Sequence, residues 1–92
     1  MSSMPKLIER EREGRRLLRM TARIQQAQRQ LVAMPRFAQA VDEGLVLALA
    51  FAQASHELQQ ADDERLLVDL DVAIGALETA VDAQLRSWGV KS

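Results

Sequence analysis

Leu17, Met20, Ile24, Ala27, Leu31 and Met34 follow one another at spacings of three and four residues. That alternation leaves little choice of fold. On a strand it would scatter the six side chains over both faces, whereas on an α-helix it gathers them into one stripe. A stripe of this heptad type is buried against other helices. It returns near the other end of the chain in Leu67, Leu70, Ile74, Leu77, Val81 and Trp88, with Leu85 close beside it. A neighbouring row of Ala73, Ala76, Ala80 and Ala83 would admit another helix at short range. Between the two seams, Phe37, Val41, Leu45, Val46, Leu47, Leu49 and Phe51 spread around most of a helix, a pattern that predicts cover on several sides.

Punctuation divides the chain into three. Pro35 ends the first helix, because the residue before a proline is pushed out of helical geometry, and it suits the first position of the next helix. Asp62 reads as an N-cap, with Asp63 and Glu64 in the first turn of a third helix, which places a turn near 59–63. Gly89 reads as the glycine just past that helix, followed by the apolar Val90. The expected helices span roughly 15–34, 36–59 and 63–88 of a single domain over 14–92. The expected fold is all-α, an antiparallel three-helix bundle completed by dimerisation. Without the break at 59–63 the chain would instead make a long two-helix hairpin. Residues 1–13, charged and poor in large apolar side chains, read as an N-terminal arm outside the bundle.

Little here could do chemistry. There is no cysteine, so disulfides and thiolate sites are excluded. His56 opens something like a zinc-protease helix motif, but there is no second histidine. Asp62, Asp63 and Glu64 lack the alternating oxygens and central glycine of a calcium loop. No serine sits in a nucleophile context, so no catalytic, cofactor-binding or metal residue is expected, and no enzyme. The first residues run straight into a charged stretch, unlike a secretory signal. The longest strongly apolar run, residues 45–52, is eight long, where a membrane span needs about 20. A soluble, cytoplasmic protein is the expectation. Arginine outnumbers lysine ten to two, a bias of GC-rich bacterial and phage genomes.

Charge is unevenly spread. Residues 1–36 carry nine basic side chains against three acidic, a net of +6, and residues 37–92 carry three against ten, a net of −7. Arg12, Arg15, Arg16, Arg19 and Arg23 cluster on one side of the first helix, beside its seam. In heptad terms Arg16 and Arg23 fall at g positions, while Glu64, Asp71 and Glu78 fall at e positions of the third helix. A g-to-e match is the pattern of parallel helices, so Arg16 and Arg23 are expected to face Asp71 and Glu78. The function these features suggest is a protein–protein interaction module, an adaptor, chaperone or regulator, whose partners are a second copy and one other protein. The alternative is a small nucleic-acid-binding regulator that uses the arginine stripe on phosphates.

Overall fold

The computed structural model describes residues 3–90, with side chains from Leu7 onward. It holds three helices, α1 (Ser3–Gln30), α2 (Phe37–Gln60) and α3 (Glu64–Ser87), each packed on both others. Contacts pair Gln28 with Ala40 and Gly14 with Leu58, so α1 and α2 are antiparallel. Arg16 meets Asp71 and Glu78 while Arg23 meets Asp82, so α1 and α3 run the same way. This is the antiparallel three-helix bundle, and the two-helix hairpin is set aside. The bundle is a slim rod of 53 × 19 × 16 Å with a radius of gyration of 14.9 Å, against about 12 Å for a compact chain of this length.

Both terminal seams lie in the core. Leu17, Met20, Ile24, Ala27 and Leu31 are buried, as are Leu67, Leu70, Ile74, Val81, Leu85 and Trp88, with Leu77 packed against them. Met34 is exposed, because α1 ends at Gln30 and residues 31–36 form the turn. Pro35 lies in that turn, and α2 begins after Arg36. At its other end α1 starts at Ser3, so residues 3–13, read as an arm, continue the helix. Residues 1 and 2 lie outside the described part. Glu13 occupies the next seam position before Leu17 and is 1% exposed.

The middle helix differs most from expectation. Its buried row is Ala40, Gly44, Leu47, Phe51, Ala54 and Leu58, at spacings of four and three. Leu45, Val46 and Leu49 stand outside it, 58–72% exposed. The row that won has small residues at three of its six places, which lets α1 and α3 approach closely. It also runs on through Leu58 to the buried Ala61. The rival row, through Val41, Leu45 and Ala52, ends in Ser55 and Gln59. Cover for α2 therefore comes from one side only.

The ends of α3 are well made. Its N-cap is Asp63, one residue later than expected, and the Asp63 side chain accepts a hydrogen bond from the Leu66 N–H at 2.9 Å. At the far end Gly89 has φ +74°, the left-handed region. The Val90 N–H donates to the Leu85 carbonyl at 3.1 Å and the Gly89 N–H to Arg86 at 3.0 Å. That bond pair is a Schellman turn, which satisfies carbonyls a helix end otherwise leaves orphaned.

Candidate interaction surfaces

Three helices in contact leave three grooves, and the sequence has filled each differently. The groove between α1 and α3 is sealed by charge. Arg16, 17% exposed at its side chain, bonds Glu78 at 2.7 Å, Glu13 at 2.7 Å and also Asp71. It lies over Gly75, where a Cβ would stand 3.5 Å from its Nη2. The hydrogen bond that Arg16 donates to Glu78, with Asp71 and Glu13 adding to it, raises the Arg16 pKa above its ordinary value despite partial burial. The guanidinium is thus a permanent cation surrounded by three carboxylates. Arg23 pairs with Asp82 at 2.6 Å, rather than with Asp71 or Glu78. The reason is axial register. Arg16 sits level with Gly75, so Arg23, seven residues on, arrives level with Asp82.

The remaining stripe residues face outward. Arg12 bonds the buried Glu13 at 3.2 Å and Arg15 bonds Glu11 at 3.1 Å, both within α1 and both side chains more than 60% exposed. Arg19 is exposed and makes no ion pair among the described residues. The five arginines therefore do not act as a unit. Two bind α3, and three project into solvent. Arg10 does something the sequence did not signal: its guanidinium donates to the carbonyl of Ala61, the C-cap of α2. A cation there answers both an orphaned carbonyl and the negative end of the helix dipole.

The groove between α2 and α3 is open and mixed in character, about 480 Å³, lined by His56, Glu57, Gln60 and Asp69 beside Ala61, Leu66, Leu70 and Ala73. Among the described residues no three His, Asp or Glu side chains come together as a metal site would require. His56 is exposed at its rim. Farther along, Gln84 donates to Glu43 at 2.5 Å, and the second Glu43 carboxylate oxygen and the Trp88 indole N–H are buried without a partner among the described residues. Trp88 is a core residue, 3% exposed.

The groove between α1 and α2 is uncharged along its middle, with Arg29 lining it only at the end near the 31–36 turn. Two adjoining hollows share Thr21, Ala48 and Phe51 and extend to Gly14, Leu18 and Ser55 on one side and to Gln25, Val41 and Leu45 on the other. Of the residues lining these hollows, Leu18 of α1 is 71% exposed and Leu45 of α2 is 58% exposed. The outer face of α3 is also apolar in part, through Val68 and Val72 and the exposed alanine row at 73, 76, 80 and 83. Among the described residues no helix covers that row. By length and composition α2 could also cross a membrane, with a mean hydropathy of 1.2 over a window of which 28% is buried. No protein family, curated protein or solved structure matches this chain.

Proposed function

We propose that this protein is a small, non-enzymatic helical module that works by binding other proteins, in the manner of an adaptor, chaperone or regulator. The observation that carries the reading is the set of large apolar side chains left outside the core. Leu45, Val46 and Leu49 on α2 and Val68 and Val72 on α3 are each at least 58% exposed. They add nothing to the core as it stands, and grouped apolar surface of this kind is typical of protein-binding faces. The nucleic-acid reading loses support at Arg16 and Arg23, whose charge is spent on α3. It keeps Arg12, Arg15 and Arg19.

A tagged full-length chain, expressed in its own host and recovered with and without nuclease, tests the reading. A defined protein that stays bound after nuclease is the expected result. If everything recovered depends on nucleic acid, and binding falls with log salt at a slope of about −3, as about three phosphate contacts require, the arginine face is the working surface instead.

A further inference from the structure

The two grooves that flank α3 are both acidic, but only one of them holds cations. On the α1 side of α3, Asp71, Glu78 and Asp82 are met by Arg16 and Arg23. On the α2 side stand Asp69 and, on the facing helix, Glu57 and Glu43. None of these three is in an ion pair among the described residues. Neither wall can supply a cation along its length, because there is no Lys or Arg between Phe37 and Glu64 or between Leu66 and Leu85. Glu43 gives one oxygen to Gln84 and holds the other shielded from water, with no donor among the described residues.

Two contacts fix the register of the walls. Gln84 reaches Glu43 at one end, and Ala61 and Leu66 line a single hollow at the other. Between those ends α2 presents Glu43, Val46, Ala50, Gln53 and Glu57 on one side, at spacings of three and four. In the same way α3 presents Leu66, Asp69, Ala73, Ala76 and Ala80. The acids therefore lie toward the ends, and the middle sets Val46 and Ala50 against exposed alanines. Walls of such small side chains let a further helix approach to about 8 Å. Glu43 and Glu57 are about 21 Å apart along α2, or about four helical turns. Beside Glu57 and Asp69 the hollow of about 480 Å³ has Leu66, Leu70 and Ala73 in its lining. It suits a large apolar side chain, the anchor by which an amphipathic helix enters a groove.

We infer that the α2–α3 groove is the docking site for an amphipathic helix of another protein, one that carries Lys or Arg beside its apolar stripe. The inference rests on the reading of this chain as a protein-binding module, and names the face and the chemistry of the partner. The bound helix would complete a four-helix bundle. Its cations would answer Glu57 and Asp69 at one end and Glu43 at the other, as Arg16 and Arg23 answer the acids on the far side of α3. A second copy has no such helix to offer, because the apolar stripe of its arginine-rich α1 is already buried in its own core.

Fluorescence anisotropy on the purified full chain tests it, with labelled synthetic peptides of about 18 residues, long enough to span the groove. One peptide has a leucine stripe flanked by lysines, and a second replaces the lysines with glutamates. A third has the composition of the first, scrambled so that no stripe forms. The lysine peptide should bind at least 10-fold more tightly than either of the others. Glu57→Lys with Asp69→Lys should reverse the preference between the lysine and glutamate peptides. Ala73→Gln, which fills the hollow without adding charge, should weaken the lysine peptide at least 10-fold. Leu18→Glu, on the α1–α2 face, should leave binding unchanged. All four positions are exposed, so circular dichroism should show unaltered helicity in each variant. Equal binding of the lysine and scrambled peptides overturns the inference, as does binding lost in Leu18→Glu and kept in the Glu57 and Asp69 variant. Self-association of the chain through Glu57 and Asp69 also overturns it, since the occupant would then be the arginine stripe of a second copy. So does a lysine peptide that fails to bind. If the chain then still retains a nuclease-resistant host protein, the protein-binding reading stands and this site alone falls; if it retains none, both fall.

Discussion

Arg16 of α1 and Glu78 of α3 meet at 2.7 Å across 62 positions of sequence. The same guanidinium holds Glu13, whose carboxylate is 1% exposed, at 2.7 Å. One side chain thus ties the first and third helices together and also neutralises a charge that α1 carries into the core. Arg23 and Asp82, at 36% and 51% exposure, make a surface pair of the ordinary kind.

Reversing these two arginines should therefore give unequal results. Arg16→Glu leaves a buried carboxylate facing another and removes the partner of two more, so urea denaturation should show a loss of about 2–3 kcal/mol, discounted from a fully buried pair. Arg23→Glu should cost under about 1 kcal/mol, and its effect should fade in 1 M salt. Adding Asp71→Arg and Glu78→Arg to the Arg16 variant should recover part of the loss. Equal costs for the two reversals would mean that the buried carboxylate adds nothing.

Deletion of residues 1–13 should destabilise the bundle. It removes Glu13 from the seam and the Arg10 guanidinium from the Ala61 carbonyl. The melting temperature should drop by more than about 5 °C, the equivalent of roughly 1 kcal/mol in a domain of this size. An unchanged melting curve would return these residues to the status of a dispensable arm.

Gly44 tests how closely α1 and α2 approach. A Cβ there collides with the side-chain amide of Gln28, which donates to the Ala40 carbonyl at 3.2 Å. In Gly44→Ala the flexible amide can swing aside. Losing that bond costs about 1 kcal/mol, and the better helix propensity of alanine returns about as much, so thermal melting should change little. Gly44→Leu has no such escape and should lose about 1–3 kcal/mol by overpacking. If Gly44→Ala proves as damaging as Gly44→Leu, the backbones themselves are in contact.

The ends of α3 should contribute independently. Asp63→Ala removes an N-cap worth about 1 kcal/mol. Gly89→Ala forces a side chain into the left-handed region, at a cost of about 1–2 kcal/mol. The two sites are about 36 Å apart along the helix, so in chemical denaturation the double variant should lose the sum of the two. A shortfall well beyond 0.5 kcal/mol would show that α3 frays from one end before the other matters.

Helix type, the two long seams and the separation of positive from negative halves were all legible in the amino-acid order of this protein. Each is a local property: the spacing of Leu17 to Leu31 forces a stripe on any helix, and Gly89 ends α3 because its own backbone conformation favours it. Extending the α1 seam back one step reaches Glu13, a signal hidden because a carboxylate stands where an apolar residue is expected. Tertiary structure decided the rest. On α2 two rows compete, and burial of Ala40, Gly44 and Ala54 in place of Leu45 and Leu49 depends on how closely α1 and α3 approach, which no single helix encodes. The partner of Arg23 was likewise a matter of axial register: heptad position says which side of α3 an arginine faces, while the packed core sets the height at which it arrives.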